Sequence, residues 1–392
     1  MSEIKDRAGS CEPQVIVFHK GGRDFRADRM LRGEEVPREF FYGFFDLEAA
    51  GIPATMMSSA GTTPGLPGAI ANVIERTFAA ATGFGARPLS TRLVAQGLPS
   101  ARVVMSYTDG FSLSLGLGYP NVPERPVLIG GFHGLSDVED RVAGPVRPLV
   151  HRLIAQSLRR LDHVFFFGPA DRQYAIEHYG LQSERSSVIP FGVDTKFWRP
   201  LPHRQAEDFV VAIGQDHNRD YDLLAAAPGR HPTRIVTRRV VKIPPGADHV
   251  QQLAGDYFRS DSLSDEDIRD LYNKACAVIV PLKDVYQPSG YSVTLQAMSC
   301  GRPVILTRIR GLWGSGLMRD GENCLLVPPG DADALGEAIA RIRSDSAFAG
   351  RLGRAARETA VTHFGLDKIA GGTLALARLG LALYDQRGSK AA

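Results

Sequence analysis

Ala277-Val-Ile-Val-Pro281, a loop from Leu282 to Pro288, and then Ser289-Gly-Tyr-Ser-Val-Thr-Leu-Gln-Ala-Met-Ser-Cys-Gly-Arg-Pro-Val304 is the stretch that decides the fold. A short run of β-branched residues reads as a buried strand. The small residues Ser289, Gly290 and Ser292 leave the first backbone N–H groups of a following helix uncovered, the arrangement that cradles an anion such as a diphosphate. Gln296, one helical turn inward from Ser292, is expected to face the same site and to hydrogen-bond hydroxyls such as those of a ribose. Gly301-Arg-Pro303 ends the helix and opens the next strand.

Outward from this stretch the same alternation repeats. In the C-terminal half, Phe209–Ile213, Thr233–Val241, Ala277–Val280, Pro303–Leu306 and Cys324–Val327 read as strands. Asp265–Asn273, Asp331–Ser344, Ser346–Thr362 and Ala370–Tyr384 carry helical period, the first behind a Ser264 cap. In the N-terminal half, Val15–Phe18, Pro53–Met57, Arg102–Ser106, Val127–Gly130, Val164–Phe167 and Ser187–Pro190 read as strands, with helices expected over Glu39–Ala50 and Ala69–Thr82. Strands alternating with helical segments predict parallel sheets built from βαβ units. Pro200 and Pro202 break both periods, which places a hinge near them and divides the chain into 1–198, 199–368 and a last helix with its tail, 369–392.

Composition narrows the class. The chain has 392 residues, room for two domains; Lys plus Arg number 46 against 43 Asp plus Glu, a net charge of +3, so no nucleic-acid partner is called for. Cys11, Cys276, Cys300 and Cys324 stand far apart, without the paired spacing of a zinc site or a disulfide framework, and no metal site is expected. The polar N-terminus and the absence of a long apolar run lead us to expect a cytoplasmic protein. Gly116-Leu-Gly118 and Gly83-Phe-Gly85 each lack the third glycine of a dinucleotide-binding turn, and no phosphate-binding Gly-Lys-Ser/Thr loop, serine elbow or zinc-protease motif occurs. Phosphate, if bound, is held another way.

These segments resemble a known family. Together with Asp320-Gly-Glu-Asn-Cys-Leu-Leu-Val-Pro-Pro-Gly-Asp331 and Val188-Ile-Pro-Phe-Gly-Val-Asp194, they are similar to the retaining GT-B glycosyltransferases of the large family that includes sucrose synthases and phosphatidylinositol mannosyltransferases. The likeness is densest in the C-terminal half; in the N-terminal half it rests on Gly21-Gly22, Phe132-His-Gly134 and Leu161-Asp-His-Val-Phe165. It implies an α/β GT-B architecture of two Rossmann-like doubly wound domains facing across a cleft, the N-terminal one binding an acceptor and the C-terminal one a nucleoside-diphosphate sugar. No cofactor beyond that donor is implied.

By the same resemblance the amides around Ser292, Val293 and Thr294 meet the diphosphate, Ser289, Gly290 and Tyr291 belong to the same substrate-binding turn, and Gln296 takes the ribose. Arg219, after Gly214-Gln-Asp-His-Asn218, neutralises the leaving group, a task suited to a guanidinium fork. His133 lies near the reacting carbon, Gly21 and Gly22 let a loop close over the substrates, and Asp109 contacts the acceptor. The family pattern carries two glutamates eight residues apart; here Pro288 and Gln296 stand at those positions, so no carboxylate is available there.

The expected reaction is sugar transfer to a glycan, lipid-linked or small-molecule acceptor. A weakly active binding or scaffold subunit, or an epimerase or hydrolase of the same fold, stays open beside it. Pro148–Asp162 combines Arg147, Arg152, Arg159 and Arg160 with leucines at helical spacing, which suits peripheral contact with an inner membrane surface or, more commonly, a core helix with a solvated basic face.

Overall fold

The computed structural model describes residues 13–19, 23–58, 65–255, 263–314 and 316–391; Gly21 and Gly22 fall outside them. Its described residues form two compact units, one within Met1–Asp24, Phe41–Pro190 and Ile369–Ala392, the other Phe25–Phe40 and Phe191–Lys368.

The first unit is built on β1 (Val15–His19), β2 (Ala54–Ser58), β3 (Val103–Ser106), β4 (Val127–Phe132), β5 (His163–Phe166) and β6 (Ser186–Val188). All pairs are parallel, in the order β2-β1-β3-β4-β5-β6. Strands β1, β3, β4 and β5 are buried along their whole length, which is why they read as unbroken apolar runs rather than alternating ones. The helix Asp109–Gly118 packs so closely on Arg147–Arg160 that a Cβ on Gly116 would overlap Ser157. The basic helix is a core helix: Val150, Ile154, Ala155, Ser157 and Leu158 are buried while Arg152 and Arg159 face solvent. From Ile369 onward the helix Leu366–Ala391 belongs to this unit, Gly380 lying against Val103 and Ile129.

The second unit holds β7 (Val210–Ile213), β8 (Thr233–Val236), β9 (Val250–Leu253), β10 (Ala277–Val280), β11 (Val304–Thr307) and β12 (Leu325–Val327). They too are parallel, in the order β12-β11-β10-β7-β8-β9. This is the two-sheet GT-B architecture. In each sheet the strand order reverses once, between β1 and β3 and between β7 and β10. Loops leaving the carboxyl ends of such a strand pair diverge to opposite faces and open a crevice.

Three sequence expectations are corrected. The helix expected over Glu39–Ala50 is a 3-10 turn, Arg38–Phe41, followed by a helix over Phe44–Ala49. Tyr42 (φ 50°) and Gly43 (φ 76°) are left-handed and interrupt it, and a Cβ at Gly43 would sit 2.7 Å from the Ala370 Cα. The strand expected to run to Val241 ends at Val236, and the polar edge strand β9 carried no apolar signal. The compact units divide between Pro190 and Phe191, ahead of the prolines, because Phe191, Val193, Phe197 and Trp198 are all buried in the second unit.

Residues 25–40 are fastened into that unit by a buried ion pair. Arg26 Nη2 and Nε donate to the two carboxylate oxygens of Asp265 at 2.6 and 2.8 Å, and both side chains are 2% exposed. The guanidinium also lies 3.8 Å above the Phe40 ring. Arg26→Ala leaves the Asp265 carboxylate desolvated and alone, so the unfolding free energy should fall by about 3–5 kcal/mol in a denaturant titration.

Candidate functional site

In the second unit the crevice loops are Gly214–Asp220, after β7, and Pro281–Gly290, after β10. They are stitched together: Asp220 N donates to Pro281 O at 3.0 Å, Lys283 N to Asn218 O at 2.9 Å, and Asn218 Nδ2 to the Gln287 side chain at 3.1 Å. The loops hold Arg219 between two glycines. A Cβ on Gly214 would be 2.9 Å from Arg219 Nε, and one on Gly290 would be 3.3 Å from Nη1. Only backbone without side chains leaves room for the guanidinium there, and both glycines take φ values that other residues rarely adopt (144° and 77°).

Arg219 is 6% exposed, and its Nε and Nη1 are buried without a hydrogen-bond partner. A desolvated cation with unmet donors is costly unless an anion meets it. Beside it begins the helix Tyr291–Ser299, whose N-cap Gly290 supplies no capping side chain. Thr294 N already donates to Gly290 O at 3.0 Å, so the amides left over by helix geometry are those of Tyr291, Ser292 and Val293. The expected set thus shifts one residue toward the N-terminus. Thr294 contributes instead a buried hydroxyl without a partner.

Two expected ligands are committed to protein. Ser289 Oγ donates to Asp216 Oδ2, and Ser289 O accepts from Trp313 Nε1 at 3.4 Å. Trp313 stacks on Tyr291 at 3.9 Å, fixing the first helical turn from below. Gln296, expected at a ribose, is 1% exposed with both ends of its amide in use: Nε2 donates to Glu39 Oε1 at 3.0 Å, and Oε1 accepts from Tyr272 OH at 3.2 Å. The structure thus places the Gln296 amide among Glu39 and Tyr272.

Glu39 also accepts from Trp198 Nε1 at 2.6 Å and from Asp194 N at 3.2 Å. Burial, and secondarily the charge of Asp194, raises its pKa to about 7. A second carboxylate at position 296 would face this one in a buried site, whereas the glutamine amide donates to it.

In the first unit, His133 follows β4 and Asp109 opens the helix after β3. Asp109 Oδ1 accepts from His133 N at 3.1 Å and Gly134 N at 3.0 Å, clamping the loop that carries the imidazole. Asp109, expected at the acceptor, thus also braces the His133 loop through Oδ1. The imidazole stacks on Phe167 at 4.3 Å, and its Nε2 lies 3.3 Å from Tyr42 OH. Arg23 Nη2 donates to that same phenol at 3.1 Å. Burial lowers the His133 pKa to about 4; Asp109 opposes the shift and Arg23 adds to it. The ring is therefore neutral at pH 7, and the tautomer it adopts decides whether Tyr42 OH or Nε2 is the donor in the bond between them. Tyr42, absent from the sequence reading, holds its left-handed backbone while its ring stacks on Tyr107 at 4.7 Å. Its signal was an aromatic run, Phe40-Phe41-Tyr42, which marks packing rather than a hydroxyl's partner. Among the described residues no cluster of three or more His, Cys, Asp or Glu is placed to hold a metal.

Two parallel sheets, with the buried Arg219 at the strand reversal of one and His133 near that of the other, give a GT-B scaffold, and comparison with known proteins agrees. Residues 89–197 match the family model described as Glycosyltransferase Family 4, and residues 210–345 match the one described as Glycosyl transferases group 1. The chain belongs to this glycosyltransferase family. It is 25% identical to the MMP alpha-(1->4)-mannosyltransferase of Mycolicibacterium hassiacum over 64% of its own length, and spans 59% of that relative. Sucrose-phosphate synthase from Thermosynechococcus elongatus has the same fold (TM-score 0.67, 20% identity, covering 95% of this chain and all of the other). So does HepE of Anabaena, solved in complex with UDP-glucose (TM-score 0.57, 16% identity, 92% and 99% covered).

The buried Glu39–Gln296 pair yields a measurable sign. Glu39 has a folded pKa above its unfolded one, so its contribution is complete below about pH 4.5 and is lost as pH rises through about 7. Gln296→Glu adds a second such group. Its melting temperature should lie near that of the wild type at pH 4 and fall roughly 5 °C or more below it at pH 8, with Glu39→Gln in the same chain restoring most of the loss.

Proposed function

We propose that this chain is a retaining, hexosyltransferase-type glycosyltransferase that takes its sugar from a nucleoside diphosphate. The second unit is the donor domain and the first the acceptor domain. One observation carries the reading: the unpaired Arg219 guanidinium beside an uncapped helix start at the β7/β10 reversal. A diphosphate supplies the negative oxygens that both features lack. HepE, of the same fold, was solved with UDP and with UDP-glucose, which makes uridine nucleotides the first donors to test.

In the transfer, the bond between the anomeric carbon and the β-phosphate oxygen breaks and its electron pair stays on that oxygen. Arg219 and the Tyr291–Val293 amides stabilise the charge that builds there, which is where fixed donors act most strongly. An acceptor hydroxyl bonds to the same face of the sugar, and its proton passes to the departing phosphate oxygen. Neutral His133 presents an electron-rich ring or its backbone carbonyl to the positive anomeric carbon, braced by Asp109 and Tyr42. Charge neutralisation is thus assigned to groups of this chain. The acceptor is a glycan, a lipid-linked sugar or a small molecule.

Arg219→Ala should retain the wild-type circular dichroism spectrum, weaken UDP binding in calorimetry, and lower turnover on the order of 100-fold. Unchanged UDP affinity would remove Arg219 from the site. Wild-type binding of UDP-sugars without release of UDP in the presence of any acceptor would instead favour a binding subunit.

A further inference from the structure

The helix Leu66–Thr82 presents an unusual face to solvent. Leu66 is 73% exposed, Ile70 51%, Val73 64% and Ile74 51%. Spaced i, i+4, i+7 and i+8, they form one stripe along the helix, which Thr77 and Ala81 continue. The opposite side does the packing: Gly68, Ala71, Glu75 and Thr82 are buried there. A helix on a soluble domain ordinarily turns its polar side outward. This one turns out four large aliphatic residues, where single exposed ones need no explanation but a contiguous row does.

Along residues 65–99 the exposed charges have one sign. The helix's only acid, Glu75, is 5% exposed and is used up capping the next helix, Pro88–Gln96, through the amides of Leu89 and Ser90. Every other charged residue from 65 to 99 is an exposed arginine: Arg76 on the flank of the stripe, and Arg87 and Arg92 at and on the adjoining helix, with Leu89 42% exposed between them. Glu139 and Asp140 come near only at the far end, where Ala143 N donates to Thr82 O.

From this pairing of apolar stripe and arginine rim we infer that the Leu66–Thr82 helix lies on an anionic lipid surface, its aliphatic row at the headgroup boundary and Arg76, Arg87 and Arg92 among the lipid phosphates. An interfacial helix needs both parts, the apolar row for depth and the basic flank for attraction to negative headgroups. A second copy of the chain fits less well, because two such faces brought together by a two-fold axis oppose arginine to arginine. No helix among the described residues is long and apolar enough to cross a membrane, so the contact is peripheral. The inference is independent of the donor site, which lies in the other unit.

The full chain should float with phosphatidylcholine vesicles that contain phosphatidylglycerol and stay behind with pure phosphatidylcholine, with binding weakened by salt. The double variant Ile70→Glu, Val73→Glu should lose vesicle binding at least tenfold while keeping its melting temperature and UDP affinity, since both side chains point to solvent. Arg76→Gln with Arg92→Gln should weaken binding severalfold to the anionic vesicles. Absence of wild-type binding to either vesicle, or undiminished binding by the Ile70→Glu, Val73→Glu variant, overturns the inference. So does sedimentation equilibrium showing a wild-type dimer that the same variant converts to monomer.

Discussion

A parallel sheet whose strand order reverses in the middle cannot close its carboxyl edge. Loops following neighbouring strands on either side of the reversal must leave toward opposite faces, and the gap between them is open to a ligand without any further design. Both sheets of this protein have one such reversal, at β1/β3 and at β7/β10. The residues with chemical capacity collect there: Arg219 and the start of the Tyr291–Ser299 helix at one, Asp109, His133, Tyr42 and Arg23 at or near the other.

At the β7/β10 reversal the decisive feature is a cation kept out of water. Arg219 sits where Gly214 and Gly290 leave no side chain in its way, and two of its nitrogens find no acceptor among the described residues. Elsewhere in the same unit a buried arginine is handled in the opposite manner: Arg26 gives two hydrogen bonds to Asp265. The contrast separates a structural ion pair from the anion site proposed at Arg219. At the other reversal the logic is neutral rather than ionic. Burial drives the imidazole of His133 to its uncharged form, and a phenol held by Arg23 shares a hydrogen bond with the ring.

Much of this was legible before the fold was known. The apolar runs of β7, β10 and β11 are buried on both faces, and such strands announce themselves as unbroken apolar segments. The Ser289-Gly-Tyr-Ser turn read as a helix start with exposed amides, and Gly290 is its left-handed N-cap. Gln296 could not be placed, because helical spacing says which residues share a side of a helix and nothing about what fills that side. Glu39 fills it, from 257 positions away in the chain. Tyr42 and Asp216 escaped for the same reason, since their roles are hydrogen bonds to partners distant in sequence or hidden within a loop.

Period and turn chemistry in the sequence were thus enough to determine two parallel α/β sheets and the helix start after β10, while the family came from the likeness of its motifs. Those properties depend on neighbours within a few residues, where side-chain pattern and backbone preference act directly. Tertiary structure alone decided that residues 25–40 join the second unit through Arg26 and Glu39, that Gln296 is sealed away from solvent, and that the aliphatic row of Leu66–Thr82 faces outward. An apolar stripe in a sequence reads the same whether it is covered or bare; the covering is supplied by segments far along the chain, and only their arrival in space distinguishes the two.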